Sequence, residues 1–293
     1  MNNILICSDL DRTILPNGSQ PHSPRAFPIL HKLAGMAEIT LVYVSGRSQS
    51  LLKDALEEYD IPLPDYAIGD VGTTIYNPAD NWRPWKDWAA EIAEDWQGRS
   101  RDDLEKMFAD ITMLEAQEAA KQNTFKLSYY TDTAIDKDDL KAEMEKRLDA
   151  ARIRASIIWS IDEEKNVGLL DVLPKRATKV HAIRFLMKKM EFPEERTVFA
   201  GDSGNDLPAL TSGLNAILVK NAMEEVRQEA VSTIKEKGLE RCLYLAKGDF
   251  LGMNGNYCAG VLEGVAHFFP ETQQLMNIDN FVKDGKNSPH HGD

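Results

Sequence analysis

The stretch Ile4-Leu5-Ile6-Cys7-Ser8-Asp9-Leu10-Asp11-Arg12-Thr13 decides how this chain is interpreted. Its first half is a short apolar run typical of a buried strand, and the run ends at two aspartates separated by one residue. Side chains alternate along a strand, so Asp9 and Asp11 point the same way if the strand continues that far. One carboxylate can then attack phosphorus while the other handles the proton of the leaving group, a route through an aspartyl-phosphate. Taken alone, the short pattern is equally compatible with an Asp-rich turn.

Strand and helix signals alternate along both ends of the chain, as a parallel sheet requires. Apolar runs predict strands at 4–8, 39–44, 197–200 and 216–219, with helices at 27–35, 49–59, 180–190 and 257–268 among the segments between and after them. The predicted fold class is therefore α/β, with a doubly wound, Rossmann-like parallel-sheet core. The core catalytic domain is expected to comprise residues 1–81 and 174–270.

The middle of the chain has a different character and is expected to form an inserted, smaller α/β cap domain at 82–173. Four of the five tryptophans lie there within a short span, followed by acidic helical patterns at about 86–97 and 101–117. Strand patterns follow at 124–131, 153–161 and 168–173. Helical spacing makes the tryptophans candidates for the core of the cap, although they could also stack on a sugar ring. Residues 271–293 are assigned to a C-terminal tail, expected to be mobile from Lys283.

Bulk composition excludes several classes of function. The 293 residues carry 34 basic and 47 acidic side chains, a net charge of -13, which argues against a nucleic-acid partner or an anionic membrane surface. No apolar stretch approaches a membrane-spanning length, and the three cysteines have neither metal-ligand spacing nor a disulfide framework. A cytoplasmic protein is expected, with a monomer as the starting assumption. A phosphorylated small-molecule substrate must be met by a local positive site.

Two further segments offer groups that suit a phosphate. Ser45 and Gly46 follow a buried strand and provide a hydroxyl and backbone N–H groups, although Ser45 could simply cap a helix. Lys179 begins a predicted helix and could supply a fixed positive charge, but Lys175 and Arg176 compete for that role.

A third segment, Gly201-Asp202-Ser203-Gly204-Asn205-Asp206, brings two more carboxylates to the end of a predicted strand. Hard oxygen ligands of this kind suit Mg²⁺, which takes one or two carboxylates together with a substrate phosphate. A calcium loop is the alternative, but the terminal Glu of such a loop is missing. The sequence therefore predicts a magnesium site.

Taken in order, these segments resemble the four motifs of the haloacid-dehalogenase-like phosphatases: Asp9-x-Asp11-x-Thr13, Ser45-Gly46, Lys179 and Gly201-Asp202-x-x-x-Asp206. The insertion between the second and third motifs resembles the α/β cap of the members that hydrolyse sugar phosphates. Further segments are similar to the sucrose-phosphate phosphatases, among them Lys126-Leu127-Ser128-Tyr129-Tyr130 and Asp171-Val172-Leu173-Pro174. Arg12 departs from this pattern, because that family often has Asn or Gly there.

The resemblance implies a role for each motif residue. Asp9 is the expected nucleophile and Asp11 the acid/base. Mg²⁺ is expected on the Asp9 carboxylate, the Asp11 main-chain carbonyl, Asp202 and Asp206. Phosphate oxygens are assigned to Ser45, Gly46, Lys179 and Asn205, and contacts with sugar hydroxyls to Arg47, Asp70 and Lys126.

The implied activity is Mg²⁺-dependent hydrolysis of sucrose 6-phosphate or a related disaccharide phosphate. Mannosylfructose phosphate, glucosylglycerol phosphate and other sugar phosphates remain open as substrates. A phosphomutase is a second class of enzyme, since it would return the phosphoryl group to the sugar. A non-catalytic binding module is a third class. Such a module would be expected to have lost an acidic motif residue, and this chain has all of them.

Overall fold

The computed structural model describes residues 3–162 and 165–276, so the tail beyond residue 276, including the stretch from Lys283, lies outside the described residues. The strands are β1 (Ile4–Ser8), β2 (Ile39–Val44), β3 (Tyr66–Gly69), β4 (Thr74–Asn77), β5 (Arg83–Pro84), β6 (Glu115–Ala116), β7 (Leu127–Thr131), β8 (Ala155–Asp162), β9 (Val167–Pro174), β10 (Thr197–Gly201), β11 (Asn215–Leu218) and β12 (Leu243–Leu245). The helices are α1 (Ala26–Ala34), α2 (Gln49–Tyr59), α3 (Lys86–Ala93), α4 (Arg101–Phe108), α5 (Lys137–Ala150), α6 (Lys179–Met190), α7 (Leu207–Leu210), α8 (Glu224–Glu236), α9 (Cys258–Phe268) and α10 (Thr272–Met276).

These elements group into two compact units. The first contains residues 3–45, 51–67 and 186–276, and the second contains 46–50 together with the described part of 68–185. The chain thus leaves the first unit and later returns to it. The cap boundaries predicted at 82 and 173 fall inside the second unit and stay a prediction.

The first unit is built on parallel strands in the order β12-β11-β10-β1-β2. Strand β1 is buried along its whole length, with Ser8 opposite Ala200 of β10 on one side and Tyr43 of β2 on the other. A continuous apolar run without alternation is typical of such a doubly covered strand. Because the strands are parallel, the residues that follow β10, β1 and β2 emerge at one edge of the sheet.

Helix α9 covers part of this sheet at close range. Its residues Cys258–Ala266 are all buried, and a Cβ added at Gly264 would lie 2.4 Å from Cγ1 of Ile217 on β11. Glycine is therefore needed at this crossing for steric reasons, because a side chain would overlap a fully buried strand residue. The parallel sheet with its flanking helices confirms the predicted α/β fold class.

The second unit contains an antiparallel sheet in the order β6-β7-β9-β8. Its hydrophobic core includes Leu104 and Phe108 of α4, Leu140 and Met144 of α5, and Trp96. Trp96 is fully buried in this core, as predicted for the tryptophans of the cap, whereas the equally buried Trp88 packs against His181 and Phe185 instead.

The helix predicted at 101–117 is wrong beyond Phe108. Helix α4 ends there, and residues 115 and 116 instead form β6, which pairs with Tyr129 and Tyr130 of β7. β-Branched Ile111 and Thr112 are weak helix formers, and the pairing with β7 outweighs the helical pattern of the acidic residues.

Across the described residues, no helix combines the length and the apolar character needed to cross a membrane.

Candidate active site

Three carboxylates meet at the edge of the parallel sheet where β1 and β10 end. Asp9, Asp202 and Asp206 each offer an oxygen, and these oxygens all lie within 4.8 Å of one another. The three residues are 7%, 4% and 0% exposed. Buried carboxylates repel one another at such distances, so the cluster calls for a positive group.

Strand pairing explains why Asp9 and Asp202 are neighbours although they lie far apart in sequence. The Asp9 N–H donates to the Ala200 carbonyl at 2.9 Å, which continues the pairing of β1 with β10 by one residue. Thr13 joins the two aspartates, because its buried hydroxyl lies 3.4 Å from Asp9 Oδ2 and 3.2 Å from Asp202 Oδ1. Thr13, the last residue of the first motif, thus links the two carboxylates.

Asp206 fixes the loop that carries Asp202. Its Oδ2 accepts hydrogen bonds from the Asp202 N–H at 3.1 Å, the Ser203 N–H at 3.1 Å and the Ser203 hydroxyl at 3.0 Å. A Cβ at Gly201 would lie only 2.6 Å from Cβ and Cγ of Asp206, so this glycine makes room for the carboxylate. Asp206 therefore organises the loop as well as adding charge.

Asp11 lies outside the three-carboxylate cluster. Strand β1 ends at Ser8, so strand alternation does not extend to Asp11. Its Oδ1 accepts a hydrogen bond from Asn17 Nδ2 at 2.7 Å, and the residue is half-buried. A held, partly exposed carboxylate can still exchange a proton with a substrate, as an acid/base must.

The donor set fits a small, hard divalent cation. All three groups that converge are carboxylates, with no nitrogen or sulfur ligand among them, and Mg²⁺ prefers oxygen. The predicted ligands Asp9, Asp202 and Asp206 are therefore brought together, while the part assigned to the Asp11 carbonyl stays a prediction.

The other phosphate candidates of the first unit are Ser45 and Asn205. Ser45 directly follows β2, the neighbour of β1, and is 2% exposed. Asn205 is exposed within a short 3-10 turn, Gly204–Asp206, of the loop after β10. Both thus belong to loops that leave the same sheet edge as the carboxylates.

In the second unit, Arg176, which competes with Lys179 as a candidate for the phosphate, has several acidic partners. Arg176 is engaged with acidic side chains of α3 and of the segment after it: its guanidinium contacts Glu91 at 3.1 Å, Glu94 at 2.8 Å and the fully buried Asp95 at 3.1 Å. Arg176 therefore has a structural role. Lys179 is the first residue of α6 and is half-buried, and it remains the candidate for phosphate.

The remaining candidates of the second unit have well-defined surroundings. Gly46 is exposed and Arg47 half-buried, and the Arg47 carbonyl accepts a hydrogen bond from the Asp70 N–H at 2.9 Å. Asp70 is 8% exposed and its carboxylate accepts from the Tyr76 hydroxyl at 2.5 Å. On the antiparallel sheet, Lys126 Nζ lies 3.8 Å from Asp171 Oδ1. Their contacts with a sugar stay a prediction.

The sequence did not point to a set of contacts around Arg12. This residue has a positive φ of 59°, a conformation that Gly and Asn tolerate better than Arg. Asn17 Oδ1 accepts from the Arg12 N–H at 2.8 Å, and Asn221 Nδ2 donates to the Arg12 carbonyl at 2.7 Å. The side chain lies against Asp202, with Nε 3.2 Å from Oδ2. The frequency of Asn or Gly at this position in the resembling family was the available signal for the unusual backbone.

Comparisons with known proteins agree with this geometry. The profile of the sucrose-6F-phosphate phosphohydrolase family matches residues 2–269. A Nitrosococcus oceani protein described as a HAD-like hydrolase is 58% identical to this chain, and the match covers 93% of this chain and 74% of the length of that protein. The mannosylfructose-phosphate phosphatase of Agrobacterium fabrum is 29% identical, covering 90% of this chain and 96% of its own. Sucrose-phosphatase 1 of Nicotiana tabacum is 27% identical over 90% of this chain, which spans 59% of the length of that protein.

A solved structure is also similar to this chain. The sucrose-phosphatase of Synechocystis, determined in complex with sucrose and phosphate, superposes with a TM-score of 0.67 at 25% sequence identity, covering 92% of this chain and 98% of its own. These matches identify the chain as a phosphatase of sugar phosphates, and it belongs to the sucrose-6F-phosphate phosphohydrolase family.

Proposed function

We propose that the chain hydrolyses the phosphate ester of a disaccharide, with sucrose 6-phosphate as the first candidate, through an aspartyl-phosphate and with Mg²⁺. The observation that carries the proposal is the buried cluster of Asp9, Asp202 and Asp206, held by Thr13 at the edge of a parallel sheet. The family match over residues 2–269 supports the choice of substrate class.

Asp9 attacks the phosphorus in line and takes the phosphoryl group as an acyl phosphate, with release of the sugar oxygen. Asp11 protonates that oxygen as the bond breaks, then removes a proton from the water that hydrolyses the acyl phosphate. An alkoxide is a poor leaving group, so this proton matters. The hydrogen bond from Asn17 Nδ2 to Asp11 Oδ1 helps to hold this carboxylate in place.

Mg²⁺, when bound, neutralises the charge of phosphate and carboxylates and orients the phosphate. Asp9, Asp202, Asp206 and the Asp11 carbonyl would hold it. The chain's own side chains and backbone supply the other contacts with phosphate. The Ser45 hydroxyl, the Gly46 N–H and the Asn205 amide N–H donate hydrogen bonds to the phosphate oxygens, and the Lys179 ammonium adds a positive charge. Arg47, Asp70 and Lys126 read the hydroxyl groups of the sugar.

A second candidate substrate is mannosylfructose phosphate. The relative named for this substrate is 29% identical to this chain, which covers 96% of that protein's length. Both substrates are disaccharide phosphates, so the proposed chemistry at phosphorus is the same for each.

The test is phosphate release from a panel of mono- and disaccharide phosphates, with Mg²⁺ and with EDTA. We expect one disaccharide phosphate to be preferred by kcat/KM, phosphate as the stoichiometric product, and loss of turnover in EDTA. Asp9→Asn should abolish release, while Asp54→Asn, a change of an exposed helical carboxylate, should leave it intact. Turnover that survives Asp9→Asn would refute the covalent route, and an isomerised sugar phosphate without free phosphate would indicate a mutase instead.

A further inference from the structure

One charged group at the carboxylate cluster has no role in the proposed chemistry: the guanidinium of Arg12. Its Nε lies 3.2 Å from Oδ2 of Asp202, a carboxylate that is 5% exposed. The Arg12 side chain as a whole is 40% exposed, although its Nε atom is buried. A permanent positive charge therefore occupies one side of a predicted metal ligand.

The backbone of Arg12 is held so that this contact is made. Its left-handed conformation is unfavourable for a side chain of this size. It is fixed from both sides, by the Asn17 side chain on the N–H and the Asn221 side chain on the carbonyl. Asn221 is itself buried and accepts the Tyr257 N–H at 2.7 Å, which ties the position to the start of α9. Strain that is maintained by several independent contacts often marks a functional position.

The contact between Arg12 and Asp202 is electrostatic in character. The Nε atom is buried, yet among the described residues it makes no hydrogen bond of good geometry, although Asp202 is within ion-pair distance. An ion pair without an aligned hydrogen bond is weaker than one that has it. The guanidinium therefore holds Asp202 less firmly than it would through an aligned hydrogen bond.

We infer that Arg12 is an internal counter-ion that competes with Mg²⁺ for Asp202 and so sets the metal affinity of the site. It offsets part of the repulsion among three neighbouring carboxylates before the metal binds, and it repels the divalent ion when the metal arrives. This inference rests on the proposed metal site. Removing the charge should tighten Mg²⁺ binding and should destabilise the metal-free protein.

The experiment is isothermal titration of the metal-free protein with MgCl₂, without phosphate or sugar. Arg12→Gln removes the charge at similar length, and Arg12→Lys keeps the charge without the planar fork. A unit charge a few ångströms from the ion should change the dissociation constant roughly tenfold, so Arg12→Gln should bind Mg²⁺ about ten times more tightly and Arg12→Lys within about twofold of the unchanged chain. In EDTA, Arg12→Gln should also unfold at lower temperature than Arg12→Lys.

Arg12→Asn serves as a second neutral variant, because asparagine accepts the left-handed backbone and keeps the comparison possible if Arg12→Gln does not fold. Unchanged or weaker Mg²⁺ binding in the neutral variants would overturn the inference, and so would equal tightening in Arg12→Lys. Asp202→Asn separates this from the parent proposal. If the unchanged chain binds no Mg²⁺, or binds it equally after Asp202→Asn, the metal site itself is wrong.

Discussion

Replacing Gly201 with alanine should disable the site through sterics alone. The new Cβ would stand 2.6 Å from Cβ and Cγ of Asp206 and 2.8 Å from its Oδ2. Neither side can yield easily, because Gly201 is the last residue of a buried strand and Asp206 is fully buried. Asp206 must therefore move, and with it the loop that it holds through three hydrogen bonds.

The magnitude follows from these contacts. Forcing a methyl group into a packed site costs about 1–3 kcal/mol. Each hydrogen bond to a charged acceptor that is broken adds about 1.5–3 kcal/mol, and relaxation of the loop recovers part of the total. We expect the free energy of unfolding to fall by about 3 kcal/mol. A shift of Asp202 by about 1 Å should lower kcat/KM roughly a hundredfold.

Gly204→Ala is the matched control. It lies in the same loop, and among the described atoms nothing would come within 4 Å of its added Cβ. Urea denaturation and phosphate release, measured on both variants, separate the two cases. Equal stability and equal turnover in Gly201→Ala and Gly204→Ala would refute the role assigned to the close approach of Asp206.

Asp11→Asn should lower kcat about a hundredfold on an alkyl phosphate and less than tenfold on an aryl phosphate, whose leaving group needs less protonation; equal losses in the two phosphate-release assays would contradict its acid role. Gly264→Ala should lower the free energy of unfolding by about 2 kcal/mol, because the methyl overlaps Ile217, and an unchanged urea midpoint would argue against the close helix–sheet crossing. Arg176→Gln removes one partner of the fully buried Asp95, which keeps another arginine, so thermal denaturation should show a loss of about 2 kcal/mol, and full stability would contradict a structural role for Arg176.

Much of the core could be predicted because its strands are unambiguous. β1 and β10 are buried along their whole length and β2 is buried except at the half-buried Thr40, so each appears as a largely apolar run. The predictions missed α8 and β12, where the pattern is weak. Helix α8 buries only Ala230 and Ile234 among its described residues, and β12 is a short, half-buried strand at the end of the parallel order.

The candidate site also has a part that could be predicted from the sequence and a part that could not. Asp9 and Asp202 follow recognisable strands, so their meeting could be predicted from the rule that parallel strands end at one edge. The support around Arg12 could not, because Asn17 and Asn221 act through side-chain contacts that depend on the final packing. Asn221 lies 209 residues from Arg12 in sequence, and no local pattern connects them.

The position of β1 between β2 and β10 has a consequence for how the protein is made. β2 follows β1 closely in the chain, so the two strands can pair early during synthesis. The opposite edge of β1 must wait for residues 197–201. At about 5–20 residues per second, that edge of a largely apolar strand stays open for roughly 10–40 s on the ribosome. Unpaired apolar strands are sites of aggregation, so the nascent chain should be a substrate for chaperones during this interval.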